Sequence, residues 1–254
     1  MEKLLDEIES YWSTRTEGYS EVNHKELAGT QKNAWLKVLT SQFPDKPKEE
    51  IRILDIGTGP GFFPVILAEA GYHVDAVDYT EGMLEKAKEN AGDLCRNIRF
   101  LRMDAQKLDF EDNTFDVVIS RNLTWNLEHP DVAYREWVRV LKVGGRLLNF
   151  DANWYGYLYE EEQRKAYEND RKNVENNSLD DHYLCTDIER MERIALQVPL
   201  SKISRPQWDV KTLREAGLLG IRTDTEIWKT VWSEEERLNY QSTPMSVSYT
   251  HLTL

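Results

Sequence analysis

Between residues 51 and 151, short apolar runs alternate with segments that have helical periodicity, which is typical of βαβ units. Strands that are separated by helices usually run parallel, because the chain must cross the sheet before it starts the next strand. We therefore expect an α/β fold with a mostly parallel, doubly wound sheet. The predicted strands are Ile51–Ile56, His73–Asp78, Ile98–Met103, Phe115–Ser120 and Arg146–Asp151.

The helix after the fourth strand has the strongest helical pattern. Pro130 is placed to begin it, and the pair Gly144-Gly145 is placed to end it. Its apolar positions repeat at intervals of three and four residues, so one face should pack against the sheet. The residues of this face are Tyr134, Trp137, Val138 and Leu141.

The segments that flank this block differ from it in composition. Residues 1–45 are predicted to form an N-terminal helical cap, in which two polar helices are joined at Thr14–Ser20. The main domain would span residues 46–246, and residues 152–207, rich in aromatic and charged residues, would form an inserted lid after the fifth strand. A helix over Val210–Ala216 and a strand over Ile221–Trp228 would follow.

The last eight residues, 247–254, resemble the translation of an adaptor used to prepare sequencing libraries. We therefore expect a non-native tail and a C-terminal strand that is truncated or replaced. The alternative is a natural edge strand, because side chains of opposite character alternate along Tyr249–Leu254.

Composition excludes several classes of function. Lysine and arginine total 32 against 45 aspartate and glutamate residues, and the net charge of -13 argues against a nucleic-acid partner. No apolar run approaches the roughly 18 residues that cross a bilayer, and no signal peptide is recognisable. Two distant cysteines, Cys95 and Cys185, predict no disulfide framework and no metal site, so a reducing cytoplasm is the expected location.

A glycine-rich turn follows the first strand, in Leu54-Asp-Ile-Gly-Thr-Gly-Pro-Gly61. Glycine permits positive φ angles and a close approach of backbone amides to a ligand. Asp55, two residues before the first glycine, is placed at the carboxyl end of the strand, where it could meet an ammonium group. Phe62 occupies the position at which dinucleotide-binding turns have a small residue.

Three further elements follow at the ends of later strands. Asp78, after the second strand, could accept hydrogen bonds from two ribose hydroxyls. Met83 offers a soft side chain to a purine face, and Asp104 could accept from an exocyclic amine. Together with the glycine-rich turn, they predict a nucleoside site.

These motifs, together with Phe115-Asp-Val-Val-Ile-Ser120 and Arg139-Val-Leu-Lys-Val-Gly-Gly-Arg-Leu-Leu148, resemble the class I S-adenosylmethionine-dependent methyltransferases. Within that family, the resemblance is to the small-molecule group that includes the ubiquinone and menaquinone C-methyltransferases, and it covers roughly residues 50–151. It implies a Rossmann-like methyltransferase fold and S-adenosylmethionine as cofactor. The implied cofactor-binding residues are Asp55, Gly57, Thr58, Gly59, Gly61, Asp78, Tyr79, Met83, Asp104, Ala105, Ser120, Arg121 and Asn122.

The resemblance assigns a place on the cofactor to most of these residues. The glycines would surround the methionine and ribose, Asp55 the amino group and Asp78 the ribose hydroxyls. Asp104 and Ala105 would lie at the adenine, and residues 120–122 would line the methionine end.

Methyl transfer from a sulfonium is an in-line displacement, so alignment and desolvation supply much of the acceleration. No catalytic residue is singled out by spacing. The candidates for a general base are His24, His129, Asp151 and Tyr155.

Aromatic residues at Tyr11, Trp12, Tyr19 and 154–159 could wall a pocket, although docking of the cap explains Trp12 better. For Trp125 the pocket and the core are equally favoured. We therefore expect a small-molecule methyl acceptor held beneath the cap and lid. A nicotinamide-dependent oxidoreductase and a non-catalytic cofactor-binding module remain as alternatives.

Overall fold

The computed structural model describes residues 3–177 and 186–251. The strands of this described part are β1 (Arg52–Ile56), β2 (His73–Asp78), β3 (Ile98–Arg102), β4 (Phe115–Arg121), β5 (Leu141–Asp151), β6 (Leu219–Asp224) and β7 (Ser246–His251). Its α-helices are α1 (Leu4–Ala28), α2 (Gln31–Thr40), α3 (Phe62–Glu69), α4 (Glu81–Ala91), α5 (Pro130–Val140), α6 (Glu161–Asn176), α7 (Ile188–Ala195), α8 (Gln207–Glu215), α9 (Trp228–Val231) and α10 (Glu234–Asn239).

The strands form one sheet in the order β3-β2-β1-β4-β5-β7-β6. β1 to β5 pair in parallel, and β7 lies antiparallel between β5 and β6. The chain moves outward from β1 to β3 and then returns to place β4 on the other side of β1. Ligands of open α/β sheets bind at such a reversal, beyond the carboxyl ends of the strands. The prediction of a mostly parallel, doubly wound sheet is confirmed.

Apolar side chains cover both faces of the sheet. On one face, Trp35 of α2 packs edge-on against Phe63 and Phe150, with ring centroids 5.1 and 5.0 Å apart. On the other face, Tyr134 and Trp137 of α5 are fully buried, as their helical spacing predicted. The strand ends are therefore held at fixed positions by two packed layers.

Two predicted boundaries in the first part of the chain are wrong. α1 continues through residues 14–20, because Thr16 and Ser20 are buried there, and the break falls instead at Gly29. α5 ends at Val140, and the pair Gly144-Gly145 lies inside β5 at an irregularity of its pairing with β4. A Cβ atom on Gly145 would lie 3.0 Å from the Asp116 carbonyl oxygen, so this irregularity requires glycine.

The C-terminal part also differs from prediction. β6 ends at Asp224, and Trp228, expected to end a strand, begins the short helix α9. Residues 246–251 form β7, an inner strand whose Val247 side chain is fully buried. The expected truncation of the last strand is therefore wrong, as is the alternative of an edge strand. The foreign origin of residues 247–254 stays a prediction.

The predicted lid region, residues 152–207, contains α6 and α7 on either side of the residues outside the described part. Those residues include Cys185. Among the helices of residues 3–177 and 186–251, none is long and apolar enough to cross a membrane.

Candidate active site

A cavity, here called the main cavity, lies at the carboxyl ends of β1, β2 and β4 and beneath α1. It is formed by backbone and side chains that lie far apart in the sequence. Nine of the thirteen predicted cofactor-binding residues line it: Gly57, Gly59, Asp78, Tyr79, Met83, Asp104, Ala105, Arg121 and Asn122.

The glycine-rich turn adopts positive φ angles at Gly57, Gly59 and Gly61, of 70°, 52° and 91°. The amides of Gly57 and Thr58 donate to the Val77 carbonyl at 2.9 and 3.0 Å, which fixes the turn against β2. Gly61 does not line the main cavity, because its Cα faces α4, where a Cβ would lie 3.0 Å from that of Ala87. Position 61 therefore requires glycine because of packing as well as backbone conformation.

Asp78 is the end of β2 and faces the main cavity. Its two carboxylate oxygens accept hydrogen bonds from the amides of Gly59 at 2.8 Å and Thr80 at 2.9 Å. Burial raises the pKa of Asp78, and these hydrogen bonds oppose the rise. The carboxylate is thus joined to the glycine-rich turn, and the hydroxyls of a ribose would meet it at this position.

Asp55 lies at the neighbouring end of β1 and is 2% exposed. Together with Asn23 and Thr58 it lines a small side cavity, which shares Gly57, Gly59, Tyr19 and Arg121 with the main cavity. Burial raises the pKa of Asp55 to about 7, although the charge of Arg121 acts in the opposite direction. An ammonium group in this small cavity would restore the charged form of Asp55.

Ser120 and Arg121 have different surroundings, although they are adjacent in β4. The Ser120 hydroxyl is fully buried and donates to the Ile56 carbonyl at 2.9 Å, and it lines neither cavity. Arg121 lines both cavities and forms an ion pair with Glu26 of α1 at 2.7 Å. Ser120 is therefore part of the sheet, whereas Arg121 joins the sheet to the cap.

The predicted adenine residues lie together at one end of the main cavity. Asp104 accepts two hydrogen bonds from Gln106, at 2.8 Å from its amide and 3.1 Å from its side chain. The Ala105 carbonyl accepts from the Trp137 indole at 2.9 Å, which ties this loop to α5. Met83 is buried and lines the same cavity, and the Tyr79 ring centroid lies 5.1 Å from the Arg102 guanidinium.

The sequence predicted that the N-terminal cap covers the site, but it indicated only some of the residues of α1 that take part. Ion pairs tie α1 to three points of the domain: Glu9 to Arg102, Glu17 to Lys86, and Glu26 to Arg121, at 2.6, 2.9 and 2.7 Å. Along this helix, Leu5, Ile8, Glu9, Trp12 and Tyr19 line the main cavity. Since Trp12 also contacts the core, both of its predicted roles apply.

Among the residues that line the main cavity and the small side cavity, three asparagine side chains carry a buried amide oxygen for which the described residues provide no hydrogen-bond donor. Asn122 and Asn126 belong to the main cavity and Asn23 to the small side cavity. A buried acceptor without a donor is costly, so a ligand with N–H groups at these positions would be stabilising. No sequence signal marked Asn23, which lies within α1, or Asn126.

A third cavity adjoins the main cavity and is here called the aromatic chamber. Its lining residues are Tyr11, Trp12, Arg15, Tyr19, Val22, Asn122, Trp125, Trp154, Tyr155, Thr186, Met191 and Tyr240. Trp12, Tyr19 and Asn122 also line the main cavity, so the two spaces share a wall. Trp125 lines the chamber and belongs to the core cluster, so both of its predicted roles apply.

The candidate general bases are not equally placed. His24 and His129 are exposed and line neither the main cavity nor the chamber. Asp151 is 2% exposed and accepts from several donors, which leaves it no free oxygen for a substrate proton. Tyr155 lines the aromatic chamber.

Comparisons with known proteins agree with this geometry. A family model described as "Methyltransferase domain" matches residues 54–149. The chain is 41% identical over 98 residues to a demethylmenaquinone methyltransferase of Clavibacter sepedonicus, covering 38% of this chain and 39% of that protein. It is 31% identical over 148 residues to a protein of the same name from Renibacterium salmoninarum, covering 58% of this chain and 60% of that protein.

The whole fold also occurs among solved structures. A SAM-dependent methyltransferase from Aquifex aeolicus superposes with a TM-score of 0.57 and 21% identity, over 95% of this chain and 98% of that one. This likeness establishes the fold. The chain spans less than two thirds of the length of the two demethylmenaquinone methyltransferases.

The fold, the glycine-rich site and the family match agree on one class: residues 54–149 match a methyltransferase domain, and the described fold is that of the class I S-adenosylmethionine-dependent methyltransferases. The predicted fold and cofactor are thereby confirmed. The contacts predicted for individual residues stay predictions.

Proposed function

We propose that the protein transfers a methyl group from S-adenosylmethionine to a small-molecule acceptor, in the cytoplasm. The main supporting observation is the arrangement of hydrogen-bond acceptors around the main cavity. Asp55, Asp78 and Asp104 lie at or just beyond the ends of three strands, and the same cavities contain asparagine amide oxygens for which the described residues provide no donor. Ammonium, hydroxyl and amine donors of one elongated nucleoside ligand would satisfy this set.

Different residues would bind different parts of the cofactor. Asp78 would accept from the ribose hydroxyls, and Asp55 would accept from the ammonium group of the methionine part. Asp104 and the free oxygen of Asn126 would accept from the adenine amine. When bound, S-adenosylmethionine supplies a methyl group that is already activated by its sulfonium.

The remaining contribution of the protein is orientation and the exclusion of water. α1 covers the strand ends and is held at three points by ion pairs, so it shields the main cavity from solvent. The rings of Trp12 and Tyr19 lie between the two cavities, where aromatic faces favour a positive charge. A displacement with an activated donor depends mainly on this alignment.

Calorimetric titration with S-adenosylhomocysteine tests this proposal, and NADH serves as the parallel ligand. We expect S-adenosylhomocysteine to bind at one site and NADH to give no heat. Binding of NADH alone would instead favour the oxidoreductase.

Turnover separates an enzyme from a non-catalytic binding module. The protein is incubated with S-adenosylmethionine and a panel of phenols, amines, thiols and carboxylic acids, and S-adenosylhomocysteine is measured. Release that depends on one acceptor class supports the enzyme. Tight binding of the cofactor without release for any class would favour the binding module.

A further inference from the structure

A groove lies at the amino ends of β1, β2 and β3, at the opposite edge of the sheet from the main cavity. It is here called the basic groove, and its polar lining residues are Arg52, His73, Asp75, Arg96, Asn97 and Arg99. Its volume of about 300 Å³ is at the lower end of the range for small-molecule sites. The groove therefore has room for a small ligand, and it shares no lining residue with the main cavity.

The basic groove is open because no helix covers the sheet on this side. Asp75 of β2 and Arg99 of β3 are paired in register, so their side chains point to the same face of the sheet. The helices α3 and α4 pack on the other face, against Ala76 and Ile98. The described residues 103–114, which join β3 to β4, form no helix. Charged side chains of β2 and β3 are therefore accessible to a ligand from solvent.

Two arginines of the groove are held in place by the residues around them. The Asp75 carboxylate accepts two hydrogen bonds from the Arg99 guanidinium, at 2.8 and 2.7 Å, and the same cation lies 5.7 Å from the Phe110 ring. The Arg52 guanidinium lies 5.2 Å from the Phe115 ring. Aromatic faces attract such cations. Because both side chains are already oriented, a ligand that binds them loses less free energy to their ordering.

The groove carries more positive charge than its own carboxylate balances. Three arginines line it, and Asp75 is the one acidic residue among its described lining residues. Both oxygens of Asp75 are bonded to Arg99, and Arg52 lies 3.8 Å away from one of them. Arg96 is exposed and forms no hydrogen bond or ion pair with a described residue. Neighbouring cations repel one another, so an anion bound among them would be stabilising.

The available donors favour a phosphate group over a carboxylate. A guanidinium pairs with either group through two parallel hydrogen bonds. The two oxygens of a carboxylate would be engaged by a single arginine, whereas a phosphate monoester has three terminal oxygens and a charge of about −1.5 to −2 at pH 7. Three arginines in one groove match this larger charge and the additional oxygen.

The groove also has polar groups for the remainder of a small phosphate ester. The side chains of His73 and Asn97 line it, and they form no hydrogen bond with other described residues. Hydroxyl groups of an ester would bond to them. A long polyanion such as a nucleic acid fits less well, because the net charge of -13 repels phosphates that extend beyond the groove.

We propose that the basic groove is a binding site for a phosphate group, either as free phosphate or as part of a small organic ester, and that Arg52, Arg96 and Arg99 bind it. Asp75 orients Arg99 and does not itself contact the anion. The proposal goes beyond the proposed function, since the groove and the main cavity lie at opposite ends of the strands. The chain thus has a second ligand site that is separate from the methyl-transfer reaction.

Titration calorimetry at constant ionic strength tests the site, with inorganic phosphate and glycerol 3-phosphate as the two probes. We expect binding at one site with a Kd below about 1 mM. Tighter binding of glycerol 3-phosphate would identify an ester as the ligand, and equal or weaker binding would identify the phosphate group alone. If both probes give only the heats of a sodium acetate titration, the proposal is overturned.

Arg99→Gln should weaken the binding of inorganic phosphate at least about fivefold, because it removes one cation of the groove. Arg135→Gln is the matched control, which should bind within about twofold of the wild type. Arg135 is 58% exposed and pairs with Asp131 at 2.8 Å, whereas Arg99 is 56% exposed and pairs with Asp75 at 2.7 Å. Arg135 lies outside the groove. Equal losses in the two variants would show that surface charge alone attracts phosphate and would overturn the site.

Arg96→Gln is the second variant, and its fold should be unaffected because Arg96 is exposed and unpaired among the described residues. A ligand that binds only the folded protein raises the midpoint of urea denaturation. Phosphate also stabilises proteins in general by its exclusion from their surface. The midpoint should therefore rise more in the wild type than in Arg96→Gln at the same phosphate concentration. Equal rises would contradict the proposal.

This proposal and the proposed function fail independently. Phosphate binding that Arg99→Gln and Arg96→Gln weaken would support the basic groove even if S-adenosylhomocysteine did not bind. Binding of S-adenosylhomocysteine without binding of either phosphate probe would overturn the groove assignment and leave the proposed function intact.

Discussion

The guanidinium of Arg121 forms two hydrogen bonds with the carboxylate of Glu26, at 2.7 and 3.0 Å. Arg121 ends β4 and Glu26 lies in the last turns of α1, so this pair joins the cap to the sheet. The side chains are only 13% and 6% exposed, and the cation also lies 4.6 Å from the ring of Phe62. The cap is therefore anchored within the binding region rather than on the outer surface.

Glu26→Gln should lower the free energy of unfolding by about 3 kcal/mol, because it leaves the buried Arg121 cation without its countercharge. Urea denaturation measures this loss. The matched control is Glu161→Gln in the exposed pair of Glu161 and Lys165, which are 80% and 71% exposed, and this change should cost less than about 1 kcal/mol. Equal costs in the two variants would show that Glu26 adds no more than a surface ion pair.

Asp78→Ala should weaken the binding of S-adenosylhomocysteine at least about tenfold, because it removes a charged acceptor of the main cavity. Asp75→Ala is the control on the same strand. Asp75 lies outside the main cavity and forms an ion pair with Arg99 at 2.7 Å. Calorimetry should give an affinity within about twofold of the wild type for this variant, and similar losses in both would contradict the placement of the ribose at Asp78.

Asp55 makes stability depend on pH in an unusual direction. Burial raises its pKa from 3.8 to about 7, so the folded protein retains a proton in this range that the unfolded chain has lost. The free energy of unfolding should therefore decrease as the pH rises from about 4 to 7, on the order of 1 kcal/mol per pH unit within that range.

Asp55→Asn isolates this contribution, since the amide keeps the shape and carries no charge. The variant should have a flatter pH profile than the wild type in denaturation at pH 5 and pH 8, and it should be the more stable protein at pH 8. Burial also raises the pKa of Glu236 to about 7, so Glu236→Gln is measured beside it. Parallel profiles for the wild type and Asp55→Asn would exclude the shift at Asp55.

Val247→Ala should lower the free energy of unfolding by about 2 kcal/mol, because the side chain is fully buried in β7 between β5 and β6. Val143→Ala is the matched control, since Val143 is 51% exposed in β5, and it should cost less than about 0.5 kcal/mol. A negligible cost at Val247 would mean that the last strand contributes little to the folded sheet, whatever its origin.

Much of the cofactor site is predictable because its chemistry lies in short segments. The turn at Gly57 and Gly59 needs positive φ angles, and the carboxylates of Asp55 and Asp78 follow directly after buried strands. Parallel strands bring such ends to one edge of a sheet whatever the rest of the chain does. Ser120 illustrates the limit, because alternation along a strand turned its hydroxyl to the Ile56 carbonyl instead of the cavity.

The features that depend on packing between distant segments are not predictable in this way. The helix α1 is unbroken because Thr16 and Ser20 are buried against the domain. The low helix propensity of these residue types would by itself predict a break there. Asp151 is a plausible base in the sequence, and only its donors from other segments, Arg205 among them, show that it is fully occupied.

The sequence by itself determined the doubly wound sheet, the glycine-rich turn and the carboxylates at the strand ends, since hydrophobic periodicity and backbone freedom are local properties. The tertiary structure alone decided that Glu26 meets Arg121, that Arg205 meets Asp151, and that aromatic residues from four parts of the chain enclose one chamber. Such contacts join residues many positions apart, and their energies depend on burial, which exists only after the chain has folded.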